Sequence, residues 1–363
     1  MSHRVCSRTK PLSQAMNKLA QLIHEEIRCN GVISFERFME RAQSEPKLGY
    51  YETQRDVGKN GDFFTSVSVG ALFGELLAFQ FAQWLESIGG SVQLIEAGAH
   101  DGQLSCDVLN ALEKWHPNTY RNVSVIIVEP SKQHQQWQAE VLKQHNGKVK
   151  WHCEIPKELR GIFFCNELLD AFPVQRLGWD ADKHTWFEWG VASKGELFVW
   201  RRMENLPMQF GCEEDLSDGY VTLQSKRREA FWIEVSNALS QGRIMAFDYG
   251  LESDAFFVPP RKDGTLRAYY RHKVADDLLG HVGELDLTSS VDFTAIRNAG
   301  ESAGLKSEPM RTQEQFLMDI FEKTLIQPDR FPEWTAKRRR QFQTLIHPEH
   351  LGRQFQVLQQ VKD

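Results

Sequence analysis

VQLIEAGAHDGQL, residues 92–104, reads as a buried strand, a glycine turn and the first residues of a helix. An apolar run ends at Glu96, breaks at Gly98, and restarts with helical character near Gly102. In doubly wound α/β proteins this order makes a nucleotide cradle, because free backbone N–H groups and a close backbone approach are available at the turn. His100 stands between the two glycines, where a third would be comfortable.

Outward from this stretch the pattern repeats. Val123–Val128 is a continuous apolar run that ends at Glu129-Pro130, as a central parallel strand would. A polar helix near Gln133–Gln144, a short strand near Val149–Cys153 and an apolar strand Gly161–Cys165 follow, the last running into NELLDAFPV. Arg227–Leu239 reads as a helix, and Arg243–Phe247 as a buried strand ending in Asp248-Tyr249-Gly250. Alternating strands and helices predict an α/β fold with a doubly wound, mostly parallel sheet and right-handed crossovers. The carboxyl ends of its strands then share one edge.

Upstream, Ala15, Leu19, Ile23 and Ile27 recur at helical spacing, and Ser34 opens a second helix carrying Phe35, Phe38, Met39 and Ala42. GYYETQRDVGKNGDFFTS (49–66) has no period and reads as an ordered functional loop. Ser68 is the expected cap of the helix that runs to Ile88. Downstream, Trp186–Val191 and Leu197–Arg201 predict a hairpin, Gly264–Phe293 loops with a small helix, and the tail is expected to be helical. The expected organisation is a flexible basic tail (1–14), a helical lid segment (15–90) and a core (91–363). The core carries a hairpin insertion near 180–205 and a capping segment near 255–295.

Composition sets limits. The 363 residues carry a net charge of −6, which argues against a general nucleic-acid partner. Six scattered cysteines without a Cys-x-x-Cys pair fit reduced thiols, and no apolar run reaches the ~18 residues of a membrane span. The opening MSHRVCSRTK is basic, and the first acidic residue is Glu25, a composition that transit peptides share. A disordered basic tail is the preferred reading.

Acids stand at successive strand ends: Glu96, Glu129, Glu167 with Asp170, and Asp248. Singly, each reads as a cap or a solvated loop residue. Together they point to a site. An acid ending the second strand is the usual ligand of a ribose diol, which gives that place to Glu129. Glu167 and Asp170 are three apart and share a face if the segment turns helically. Paired carboxylates hold a guanidinium by bidentate hydrogen bonds or take a proton from a nucleophilic nitrogen. The histidines lack metal-site spacing, so no metal is expected. Lys337–Arg340 reads as a solvated basic face.

ISFERFME, GYY, GDFFTS, FGELLA, EAGAHDGQLSCDVL, VEP, NELLDAFPV, DYG, GTLRAYYRH, GELDLTSSVDF and TQEQFL occur in that order from about Ile33 to Gln354. In these segments the chain resembles the MidA-like family of class I S-adenosylmethionine-dependent methyltransferases. That family includes a mitochondrial complex I assembly factor that is a protein arginine methyltransferase. The resemblance implies a cofactor site from Glu96, Gly98 and Gly102, with Glu129 on the ribose and Gly61, Asp62, Phe63 and Thr65 closing over the methionine end. It implies that Asn166, Glu167 and Asp170 line the acceptor side, flanked by Asp248, Tyr249, Asp286 and Asp292. Two departures stand out: His100 replaces the middle glycine of Glu-x-Gly-x-Gly-x-Gly, and SVSVG follows Thr65 where the family has Ala-Pro-Glu-Ile-Ser.

The expected activity is methyl transfer to a protein side chain, an arginine nitrogen, with Glu167 orienting the acceptor and Asp170 assisting. The expected partner is a protein substrate, with a respiratory complex I subunit as candidate. The expected location is the cytoplasm, or the mitochondrial matrix in a eukaryote. Two alternatives stay open: a non-catalytic assembly factor that keeps the fold, and a nicotinamide oxidoreductase, against which the missing G-x-G-x-x-G counts.

Overall fold

The computed structural model describes residues 17–55, 65–210, 213, 216–270 and 273–363. The expected basic tail and the expected cofactor residues Gly61 and Asp62 lie outside the described residues.

Among the described residues the central sheet has nine strands, three of them only two residues long (Val291–Asp292, Lys306–Ser307 and Arg311–Thr312). The six longer ones are β1 (Val92–Ala97), β2 (Val123–Val128), β3 (Val149–His152), β4 (Leu159–Asn166), β5 (Leu239–Leu251) and β6 (Phe355–Lys362). Their spatial order is β6-β5-β4-β1-β2-β3. The five from β5 to β3 are parallel, and β6 runs antiparallel at the side of β5. Ile95 on β1 pairs with Ile126 on one side and Phe163 on the other. The chain moves from β1 outward to β3 and then returns to the other side of β1 as β4. That reversal opens a crevice at the carboxyl ends of β1 and β4, where α/β sheets bind ligands.

Each face of the sheet is buried under helices. Leu72–Ile88, Gln103–Trp115 and Gln313–Ile326 cover one face, with Phe73, Leu76, Val108, Leu112 and Phe316 in a continuous apolar cluster. Lys226–Ala238 and Phe293–Ser302 cover the other through Trp232, Val235, Phe293 and Ile296. The sheet is therefore doubly wound, as the alternation of the sequence predicts.

A second core lies beside the first. Helices Lys18–Asn30 and Phe35–Ser44 bring Leu19, Ile23, Phe35 and Phe38 against Val191, Leu285 and Leu287. Ser34 caps the second of these helices, its Oγ accepting from the Arg37 N–H at 3.1 Å. An antiparallel sheet of Ile33–Ser34, Gln175–Asp180, Thr185–Lys194, Leu197–Leu206 and Val221–Gln224 completes this side. Gln43, fully buried, donates from Nε2 to the Leu287 carbonyl at 2.5 Å and so ties the helices to the strand that holds Asp286.

Three local expectations are corrected. Ser68 does not cap the Leu72–Ile88 helix, whose N-cap is Ala71 without a side-chain bond. Ser68 instead closes a tight turn with Thr65, each accepting from the other's N–H, at 3.0 and 3.1 Å. The 264–293 segment has loops as expected, but strands in place of a small helix: Leu266–Tyr270, Lys273–Val274 and Asp286–Ser289 form a three-stranded antiparallel sheet. The tail is not all helical, since β6 ends the chain in the central sheet. Two glutamines disguised it. Gln359 and Gln360 are buried, and Gln360 is matched by the Trp232 indole at 2.7 Å, the Arg297 carbonyl at 2.9 Å and the Ser307 hydroxyl at 2.9 Å. Among the described residues no helix is long and apolar enough to cross a membrane.

Candidate cofactor and acceptor site

The glycine turn leaves β1 in a left-handed course. Gly98, His100 and Gly102 have φ of 71°, 47° and 88°. Glycine enters this region freely, whereas an ordinary residue pays roughly 1–2 kcal/mol there. His100 thus adopts the backbone that a glycine would take, and the turn keeps its shape. Gly98 has a second reason: a Cβ there would lie 2.7 Å from Leu168 Cδ1. The turn and the 166–170 loop are in van der Waals contact across the crevice. Gly98→Ala is therefore expected to destabilise the protein by on the order of 2 kcal/mol, read as a lowered midpoint in thermal denaturation.

The loop after β4 carries the acidic pair. Glu167 has φ 52°, and its N–H donates to the Phe247 carbonyl at 2.9 Å. The segment is not helical, so the expected helical face is replaced by a pinned loop that achieves the same juxtaposition. The pin is Asp248 at the end of the strand beside it, fully buried. Its Oδ2 accepts from the N–H groups of Leu169 at 2.8 Å and Asp170 at 3.2 Å, and its Oδ1 from that of Tyr249 at 2.8 Å. Buried Arg228 lies behind, donating to the Ser289 hydroxyl and the Ser290 carbonyl, and its charge favours the ionised forms of Asp170 and Asp248.

A cavity of about 320 Å³ joins the turn and the loop, a volume in the range of ligand sites. Glu96, Gly98, His100 and Asp101 line it from the glycine turn, and Thr65 lines it as well. Asn166, Glu167, Asp170, Asp286, Tyr51, Tyr249 and Arg267 also belong to the lining. Five carboxyl groups thus line the cavity together with Arg267 and His100. Burial first, then the Asp170 charge, pushes Glu167 up to about 8, although Asn166 Nδ2 donates to its Oε1 at 3.0 Å. Burial also raises Glu96 to about 7 against the hydrogen bond from the Ser105 hydroxyl, and raises Asp170 to about 6.

Four expected residues stand off the cavity lining: the Asp248 just described, Gly102, Asp292 and Glu129. Gly102 lies below the turn, packed on Gln138. Asp292 caps the Phe293–Ser302 helix through the N–H groups of Thr294 and Ala295. The Glu129 carboxylate is already engaged by the Ser131 N–H at 2.9 Å, Gln138 Nε2 at 3.1 Å and His134 Nδ1 at 3.3 Å. Tyr51, Arg228 and Arg267 were not singled out by sequence reasoning. Arg267 sits on a strand whose alternation in LRAYY was a usable signal; a lone buried arginine leaves none.

The raised carboxylates set a pH dependence of stability. Folded Glu96 and Glu167 hold protons to about 7 and about 8, against about 4.3 in an unfolded chain. Their contribution is complete below the unfolded value and is lost as pH rises through the folded values. His134, also raised, acts in the same direction. His116, held down at about 4 by burial, acts oppositely, but only at lower pH. The thermal midpoint should therefore fall by a few degrees between pH 6.5 and 8.5, and the fall should be smaller in Glu167→Gln.

Residues 76–310 match the family described as "Putative S-adenosyl-L-methionine-dependent methyltransferase". Among curated proteins, the mitochondrial protein arginine methyltransferase NDUFAF7 of Danio rerio is 26% identical, over 95% of this chain and 87% of its own. The human protein of the same name is 23% identical, over 96% and 84%. Among solved structures, a superfamily member from Burkholderia thailandensis bound to S-adenosyl-homocysteine superposes with a TM-score of 0.85 at 27% identity, covering 98% of this chain and 95% of that one.

Proposed function

We propose, on the premise that this chain belongs to the S-adenosyl-L-methionine-dependent methyltransferase family, that it methylates a guanidinium nitrogen of an arginine in a partner protein. Membership makes the chain a methyltransferase whose cofactor is S-adenosyl-L-methionine. The observation that carries the finer reading is the meeting of Glu167, Asp170 and Asp286 in one cavity with the glycine turn. The relatives named as protein arginine methyltransferases support it.

The cavity suits such a cofactor. Gly98 leaves the backbone bare at the turn, and the acidic lining favours a cationic ligand. Glu96, Gly98 and Thr65 would hold it, with Asp101 beside them; Glu129 would reach the ribose only by exchanging one of its present partners. Gly102 serves by opening the helix, and Gly61 and Asp62 remain proposed closures. When bound, the cofactor supplies a methyl group on a positive sulfonium.

The chain's own residues do the rest. Glu167 orients the planar guanidinium, Asp170 adds charge behind it, and Asn166 fixes the Glu167 carboxylate by its 3.0 Å bond. A guanidinium stays protonated in proteins, with a pKa above ~12, so it must lose a proton as the new bond forms. Glu167, raised to about 8, is the better acceptor of the pair, since Asp170 lies near 6. Once the pH passes about 8, Glu167 is ionised before transfer begins, and negative charge fixed in advance costs no reorganisation.

The proposed partner is a protein substrate, with a respiratory complex I subunit as candidate on the family resemblance. The proposed location is the cytoplasm, or the mitochondrial matrix in a eukaryotic cell, in line with the mitochondrial relatives. Incubation with labelled S-adenosylmethionine and cell lysate should label protein with the wild type. Binding of S-adenosylhomocysteine without any labelling would favour the non-catalytic assembly reading.

A further inference from the structure

We propose that Tyr51 is a positioning residue that holds Asp286 in register with the acceptor while the same turn is tied, through His134, to the cofactor side. This rests on the acceptor reading above. Tyr51 stands in the short turn Tyr50–Thr53, half-buried on the cavity wall. Its hydroxyl donates to Asp286 Oδ1 at 2.6 Å. Asp286 is itself buried, on the strand that Gln43 anchors.

The backbone of the same residue faces the other way. The Tyr51 carbonyl lies 2.7 Å from His134 Nε2, and His134 Nδ1 lies 3.3 Å from Glu129 Oε2. A carbonyl and a carboxylate only accept, so this arrangement favours the protonated ring, whose two nitrogens both donate. Burial opposes that charge, but the Glu129 carboxylate and the Tyr51 carbonyl outweigh it, and the His134 pKa is raised. The ring also stacks on Trp137, with centroids 4.9 Å apart. One residue therefore links the acid cluster to the flank of the glycine turn: its carbonyl to His134, whose ring lies 5.9 Å from that of His100, and its hydroxyl to Asp286 beside Glu167 and Asp170.

The hydroxyl matters because Asp286 stands among like charges. Asp170 and Asp286 both push the Tyr51 phenol well above its ordinary value after burial, so it remains a donor throughout the working range. With the hydroxyl gone, Asp286 Oδ1 loses its bond to the Tyr50–Thr53 turn. The turn itself would stay, since its backbone bond to His134 does not need the hydroxyl.

The test is calorimetry on the full chain with two probes, S-adenosylhomocysteine and then methylguanidinium titrated into the S-adenosylhomocysteine-saturated protein. Tyr51→Phe should leave the first affinity unchanged and weaken the second by about tenfold, the usual effect of losing one hydrogen bond to a charged group. Asp286→Asn should weaken it too, and the double variant should lose less than the product of the two single losses. Methylguanidinium binding as tight in Tyr51→Phe as in wild type would overturn the proposal, as would parallel loss of both affinities. A saturated wild type that binds no methylguanidinium would overturn the acceptor reading, and this proposal with it.

Discussion

Glu167→Gln is expected to slow methyl transfer by a hundredfold or more while S-adenosylhomocysteine affinity stays within a factor of about three. A hundredfold corresponds to roughly 2.7 kcal/mol of transition-state stabilisation, a common loss when one pre-placed electrostatic group is removed. The substitution keeps the shape and the bond to Asn166, but removes both the charge that faces the acceptor and the site that takes its proton. The pH profile gives an independent reading. Glu167 is raised to about 8 in the free protein, so kcat/KM of the wild type should climb with pH toward that value. A flat profile between pH 6.5 and 8.5, or full single-turnover transfer by Glu167→Gln, would remove Glu167 from this role.

Asp248→Ala carries the largest expected cost in stability. Three backbone N–H groups, those of Leu169, Asp170 and Tyr249, lose their acceptor, and the first two belong to buried residues. Each unmatched buried donor costs about 1–3 kcal/mol. Some relief offsets this, because Asp248 is itself a buried carboxyl pushed up by burial and by Asp170. The net should still be on the order of 3 kcal/mol, seen as a fall in the denaturation midpoint with the slope unchanged. Activity should fall further than folding, since the 166–170 loop loses its pin. Asp248→Asn retains one oxygen and should be intermediate in both; an Asp248→Ala variant as stable and active as wild type would mean that the loop is held by other contacts.

What was legible in the sequence followed from periodicity and from motif order. β1, β2 and β4 are mainly apolar runs whose central residues are buried on both faces, and such runs between helical patterns admit few architectures. The strand ends then named Glu96, Glu167, Asp170 and Asp248 together. β6 was hidden because it buries two glutamines, and Gln360 finds its partners only in groups far away in the chain. Ser68 was misassigned because a serine shortly before an apolar helix looks like a cap, whereas its hydroxyl bonds to Thr65. Glu129 stood where a ribose ligand stands by position, but position does not reveal that Ser131, His134 and Gln138 already engage it. His100 looked like an obstacle in the glycine turn; at φ 47° it follows the glycine path and lines the cavity, its ring near those of His134 and Trp137.

The most direct measurement is the mass-spectrometric location of the transferred methyl group. The protein is incubated with labelled S-adenosylmethionine and lysate, and the labelled peptide is fragmented to the modified atom. The label should sit on a guanidinium nitrogen of an arginine and should vanish with Glu167→Gln. A label on a carboxylate or hydroxyl oxygen, or one that survives in Glu167→Gln, would contradict a site built to hold a cation.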